Sequence, residues 1–294
     1  MLLNRDLRQI SVVGLGLLGG SIALAVSRAF PNVKVVGFSH RPSTRAKAKQ
    51  LSVETEIADS IASSVSKSDL VILASPICTF EQTFAEIRNA LSDGCIVTDV
   101  GSTKLWPHRW AAKRLPKAVH YIGSHPIAGS EQRGIEFARD DLFERAVCIL
   151  TVTKNTNRRA VRLLTEFWSG LGCIVRTMTP TRHDKIFANV SHLTHIMAVS
   201  LVNANTSEDM KFAGKGFIDT SRIASGPANI WADVLMTNTD NVSRGIDKII
   251  SELTKLKIAV KSKNYKKIES ILERARCKRA ALIKYKMSKK ELVS

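Results

Sequence analysis

The chain has 294 residues, 44% of them apolar and 24% charged, which is the composition of a globular protein of one large or two ordinary domains. No apolar run approaches the roughly 20 residues of a membrane helix, and the first strand starts too soon after Met1 to leave room for a targeting peptide. Five scattered cysteines without CxxC spacing read as reduced thiols rather than a disulfide or zinc framework, so a cytoplasmic protein is expected. The formal charge is +18, with fifteen Lys or Arg against five Asp or Glu from Gly245 onward. Without interleaved aromatics, that excess reads as a solvated basic face, and a nucleic-acid partner is not expected.

Ile10 to Val13 is a short buried strand, followed by Gly14-Leu-Gly16-Leu17-Leu18-Gly19-Gly20-Ser21 and an apolar helical run. A strand, a glycine turn and a helix N-terminus together suit a phosphate: the missing Cβ atoms admit the ligand and the first helical turn offers unpaired N–H groups. Gly14 is expected to make the turn, Gly16 to admit a pyrophosphate and Gly19 to let helix pack on strand, with Leu17 and Leu18 lining the same loop. Lys34 to Phe38 is the second strand, ending in Ser39-His40-Arg41-Pro-Ser-Thr-Arg45. An NAD site would place a carboxylate here; Ser39, His40, Arg41 and Arg45 instead suit a 2′-phosphate, so NADP is expected over NAD.

Asp69 to Ala74 is another buried strand, and Ser75-Pro76 at its end are assigned to the cofactor crevice. Cys95 to Lys104 and His120 to Glu131 each read as a strand leading into a polar loop, so three consecutive strand ends deliver polar residues to one crevice. Strand, helix (158–170) and strand (173–178) follow, and then the pattern turns helical: one run over 181–205, a broken segment over 214–226, and two long helices near 228–261 and 265–284. His192 and His195 stand at helical i, i+3 spacing, but a third ligand and HEXXH are missing, so no metal is expected.

Gly14-Leu-Gly16-Leu-Leu-Gly19, Asp99-Val-Gly-Ser102-Thr-Lys104, Gly123-Ser-His125-Pro-Ile-Ala-Gly129-Ser130-Glu131, His183-Asp184, Ser191-His192-Leu-Thr-His195 and Gly216-Phe-Ile-Asp219-Thr-Ser-Arg222-Ile-Ala together resemble the prephenate and arogenate dehydrogenases of tyrosine biosynthesis, in family order. Thr194, where the family commonly has proline, and Ser39, where NAD-dependent members have an acid, are departures; the second resembles the NADP-using branch. The resemblance implies an α/β Rossmann-type dinucleotide-binding domain at residues 1–179, an all-α substrate-binding and dimerisation domain at residues 180–294, and a homodimer. It also implies an oxidative decarboxylation in which a cyclohexadienol loses hydride from C4 and carbon dioxide from C1.

By that resemblance His125 takes the proton of the substrate 4-hydroxyl, a task suited to imidazole because the neutral base exists near working pH. Ser102 is expected to hydrogen-bond this histidine. Arg222 is expected to grip a substrate carboxylate bidentately, with His195 as a second substrate contact and His192 as its packing neighbour. Ser130 and Glu131 are expected at the pocket mouth. Asp184 is expected to face the substrate, where a carboxylate would favour the ammonium of arogenate over the keto group of prephenate. Two other readings share these features: a β-hydroxyacid dehydrogenase or imine reductase, and a catalytically idle NADP-binding regulator.

Overall fold

The computed structural model describes residues 7–50, 56–128 and 132–289. They divide into two compact units, up to Asn238 and from Thr239 onward, whereas the domain boundary expected from sequence falls at 179/180.

The first unit opens with β1 (Gln9–Val13), α1 (Leu17–Ala29), β2 (Lys34–Phe38), α2 (Pro42–Gln50), β3 (Glu56–Ile57), α3 (Ile61–Val65) and β4 (Leu70–Leu73). It continues through α4 (Phe80–Ile87), β5 (Ile96–Asp99), α5 (Leu105–Arg114) and β6 (His120–Tyr121). These six strands form one sheet in the order 3-2-1-4-5-6, with every neighbouring pair parallel. That is the doubly wound order, whose ligand crevice opens where β1 and β4 send their connections to opposite sides. A parallel sheet is covered on both faces, so its central strands are mostly apolar. Ile10, Val12, Leu70 and Ile72 join the core on one face, and Val13, Val71, Leu73 and Val97 join the core on the other.

The stretch expected as a single strand from His120 is two. After Ile122 the chain leaves the first sheet, and β7 (Gly123–Pro126) pairs antiparallel with β8 (Val147–Thr151), which pairs parallel with β9 (Ile174–Met178). Between β8 and β9, α6 (Arg158–Gly170) is capped by Asn157 and buries Ala160, Leu164, Phe167 and Trp168, one face at helical spacing.

The helical part of the unit holds α7 (Pro180–Phe187), α8 (Leu193–Asn203), α9 (Ser207–Met210), α10 (Lys215–Ser221) and α11 (Ala228–Thr237). The run expected over 181–205 is interrupted by a π turn at Ala188–His192, and the broken segment after Gly214 is α10 followed by a 3₁₀ turn, Arg222–Ser225. Pro180–Asn203 spans 24 residues with a mean hydropathy of 1.2 in its most apolar stretch, so by length and composition one helix does reach what a membrane crossing needs, contrary to the sequence reading. It carries His183, Asp184, His192 and His195, all buried.

The helix expected to run from Ala228 to Lys261 is two, parted at Asn238. The second unit is α12 (Thr239–Lys261) packed against α13 (Tyr265–Ser288).

Candidate active site

The glycine loop is built as its spacing requires. Gly14 has φ +107°, a region open chiefly to glycine, and its N–H donates to the Phe38 carbonyl at 2.8 Å. A Cβ on Gly19 would lie 1.8 Å from the Gly14 carbonyl oxygen, so this glycine is what lets α1 sit against the turn. Gly16 differs: a Cβ there would meet nothing within 4 Å, and as the N-cap of α1 it offers no side-chain hydrogen bond to the helix. The loop therefore leaves open space before an uncapped helix N-terminus, which fits a pyrophosphate. Leu17 and Leu18, half-buried, follow in the first turn. At the end of β4 the half-buried Ser75 shares a hydrogen bond with Thr79 at 2.9 Å, and Pro76 is exposed.

At the end of β2, Ser39, His40, Arg41 and Arg45 come together. The Arg45 guanidinium donates to the Ser39 carbonyl at 2.6 Å and lies over the Phe38 ring, and the Ser39 hydroxyl accepts from the Arg41 N–H at 3.3 Å. His40 packs edge-on against Phe38, while the Arg41 side chain reaches solvent.

The second centre is His125, half-buried on β7 beside the end of β5. Its Nδ1 bonds His183 Nε2 at 2.8 Å, and His183 Nδ1 bonds Asp184 Oδ1 at 2.8 Å. Phe187 packs on both rings, stacked on His183 at 4.4 Å and tilted against His125 at 4.8 Å. Burial holds the His125 imidazole well below its ordinary value, and the neighbouring His183, Lys104 and His192 add to this. His183 is driven down to about 2, again by burial first. Both rings are neutral at working pH.

The structure gives Asp184 a task other than the expected one. Its carboxylate accepts the N–H of Lys104 at 2.8 Å and of Leu105 at 2.9 Å, capping α5 from 80 residues away. With His183 as its third donor, it is buried and spent inside the protein, which removes it from direct contact with a substrate. Ser102 makes no hydrogen bond to His125 among the described residues; the ring's hydrogen-bond partner is His183. Ser102 stands half-buried on the loop after β5.

That loop is closed by a pair the sequence reading did not single out. Lys104, fully buried, donates to Asp99 Oδ1 and to the Ser124 carbonyl, the latter at 2.7 Å. Asp99 also accepts from the Tyr121 hydroxyl at 2.6 Å and the Gly101 N–H at 2.7 Å. Burial pushes Asp99 up and Lys104 down, and each is countered by the other's charge. The pair ties β5 to β7 and so places the His125 strand. The only sequence signal was two opposite charges flanking a short glycine turn.

His192 ends the π turn and His195 lies beyond it, both buried. The His195 ring stacks flat on Trp231, 3.7 Å between centroids, and His192 meets the same indole edge-on. Asn238 bonds His192 Nδ1 at 3.2 Å and the Asp184 carbonyl at 2.8 Å. His192 Nε2 and His195 Nδ1 are buried without a hydrogen-bond partner among the described residues, the condition of groups that face a ligand. Burial lowers His192 to about 4 and lowers His195 as well. Arg222 is exposed at the start of the 3₁₀ turn that packs on α8. Ser130 and Glu131 lie outside the described residues. Among the described residues no group of three or more His, Cys, Asp or Glu is placed to hold a metal ion.

The chain matches the prephenate dehydrogenase nucleotide-binding domain over residues 22–177 and the prephenate dehydrogenase dimerization domain over residues 179–274. It is 35% identical over 272 residues to prephenate dehydrogenase of Bacillus subtilis, covering 89% of this chain and 72% of that one. The cyclohexadienyl dehydrogenase of Zymomonas mobilis is 28% identical, with 87% and 90% covered. Among solved structures, the prephenate dehydrogenase of Aquifex aeolicus in complex with hydroxyphenyl propionate and NAD+ superposes with TM-score 0.87 at 32% identity, over 94% of this chain and 98% of that one. A 3-hydroxyisobutyrate dehydrogenase of Mycobacterium tuberculosis reaches TM-score 0.56 at 14% identity over 81% of this chain and 87% of that one, a likeness of fold alone. With a nucleotide loop, a neutral histidine at the strand ends and two consecutive domain matches, the chain belongs to the prephenate dehydrogenase family of nicotinamide-dependent oxidoreductases.

Proposed function

We propose that this protein oxidatively decarboxylates prephenate or arogenate with NADP as the acceptor. The observation that carries the reading is His125: a neutral imidazole at the strand ends whose Nδ1 is tied to His183 and whose Nε2 makes no hydrogen bond among the described residues. Such a nitrogen accepts the proton of the 4-hydroxyl, breaking O–H and forming N–H while C4 becomes a carbonyl carbon. The bond from C1 to its carboxylate then breaks, carbon dioxide leaves, and the ring becomes a phenol. When bound, the nicotinamide supplies the acceptor for the two electrons and hydrogen that leave C4.

Gly14, Gly16, Leu17, Leu18 and Gly19 would hold the pyrophosphate, with Ser75 and Pro76 across the crevice. The absence of a carboxylate at the end of β2 and the gathering of Ser39, His40, Arg41 and Arg45 support NADP over NAD. Arg222 and His195 would hold the substrate carboxylates, a reading supported by the buried unpartnered Nδ1 of His195. Ser102 would contact the hydroxyl, and Ser130 and Glu131 would close the mouth. The match to a dimerization domain supports a homodimer.

The test is the initial rate of NADPH formation with prephenate and arogenate in parallel, NADP against NAD, and His125→Asn as control. Turnover that collapses in the variant establishes the reaction, and the four ratios assign substrate and cofactor. Binding of NADP without turnover of either substrate would overturn it.

A further inference from the structure

The line from His125 through His183 to Asp184 carries a direction, and it is set from its far end. Asp184 receives the backbone N–H groups of Lys104 and Leu105, which can only donate, and it meets His183 Nδ1 at 2.8 Å. Burial raises Asp184, and the backbone N–H groups of Leu105 and Lys104 together with the Lys104 charge oppose this; with an N–H donating to each of its oxygens the carboxylate is held as an acceptor, so the proton of this last bond sits on His183 Nδ1. His183 is fully buried and neutral, so its Nε2 carries no proton and must accept. The 2.8 Å bond to His125 is therefore donated by His125 Nδ1–H. A neutral imidazole has one N–H, which leaves Nε2 of His125 as a bare lone pair.

We propose that His183 and Asp184 are positioning residues that hold His125 in its Nδ1–H tautomer, so that Nε2 is the atom that takes the substrate's hydroxyl proton. The assignment rests on the oxidative reading given above. Three features make the device rigid. Asp184 is fixed on both sides, its carboxylate to the start of α5 and its carbonyl to Asn238 at 2.8 Å. Phe187 clamps the two rings, so neither imidazole can flip without displacing it. The groups facing His125 are His183 from α7, Lys104 from the loop after β5 and His192 from the π turn; burial first, and then the Lys104 cation, oppose a positive charge on the resting ring. Once Nε2 has taken its proton, the Nδ1–H bond to His183 becomes charge-assisted and shortens the climb to the imidazolium.

The tautomer can be read on the wild-type chain by long-range 1H–15N correlation on histidine-labelled protein, the His125 signals being assigned by their loss in His125→Asn. A protonated Nδ1 and a bare Nε2 are expected; a proton resting on Nε2 would overturn the proposal. In kinetics, His183→Phe keeps the ring that packs on Phe187 but removes the acceptor, and kcat is expected to fall about 100- to 1000-fold with KM nearly unchanged. His183→Gln offers an amide oxygen near the old Nε2 and is expected to recover about tenfold of that loss. A His183→Phe enzyme within about twofold of wild-type kcat would sink the assignment. If the wild type turns over neither prephenate nor arogenate while the tautomer is as expected, the reaction reading fails and the positioning assignment stands. If His183→Phe does not fold, the wild-type spectrum alone decides.

Discussion

Lys104 and Asp99 show how much a single buried pair can hold. Both are fully buried, and together with Tyr121, Gly101 and the Ser124 carbonyl they satisfy one another at the junction of β5 and β7. Lys104→Met removes the cation and strands the carboxylate in a dry site, a change expected to cost about 3–5 kcal/mol. It would register as a lower denaturant midpoint at unchanged slope. His125 leads to a second expectation. Only the neutral ring can accept a proton, and burial together with Lys104 resists the imidazolium, so its acid titration lies below the ordinary value. kcat/KM should thus stay level from about pH 8 down to about pH 6 and fall only in more acid solution, instead of halving near 6.5. The spent carboxylate of Asp184 is not visible in the sequence, because its backbone partners lie about 80 positions away, and the Lys104–Asp99 pair, though close in sequence, shows its role only once burial is known. The chemistry of His125, Ser102 and Arg222 was legible as residue types in family order, but the partner of His125 was not.

The glycine turn and the histidine helix mark two extremes among the elements. The turn is a local object, and its three glycines divide their work as spacing alone implies. Gly16→Ala places a methyl in open space, so stability is expected to hold while NADP binding weakens, the methyl standing where the pyrophosphate approaches. Gly19→Ala drives a methyl into the Gly14 carbonyl and is expected to lower the melting temperature of the free protein instead. Calorimetry of both variants with and without NADP separates the two effects. The helix 180–203 is not local in this sense. Its sequence reads as one continuous helical run, yet it opens into a π turn at Ala188–His192 that resets which face the later histidines present. Around that turn His192 and His195 both pack on Trp231 of α11, and His192 also meets Asn238 just after it, partners far along the chain.

For the whole molecule, the basic helices α12 and α13 leave Ile250, Leu253, Ile258, Leu272 and Leu282 exposed in a single chain. Apolar groups spread along two helices, of which the stretch up to residue 274 matches a dimerization domain, fit the homodimer proposed above. Sedimentation equilibrium should find a species of two 32.4 kDa chains, and Leu253→Glu combined with Leu272→Glu should yield the single chain. Three buried imidazoles, one neutral relay and one ion pair are gathered by the first unit, from segments as distant as Asp99 and Asn238. The sequence by itself determined the parallel sheet, the glycine loop and the basic end of β2, because strand periodicity, turn chemistry and charge are properties of neighbours along the chain. Only the tertiary structure decided that His125 answers to His183 rather than Ser102, that Asp184 caps a helix rather than facing a ligand, and that Lys104 is buried. Each of those outcomes is set by which donor meets which acceptor across the fold, and desolvation makes that choice binding: a buried polar group must take the partner beside it, however far away in sequence that partner lies.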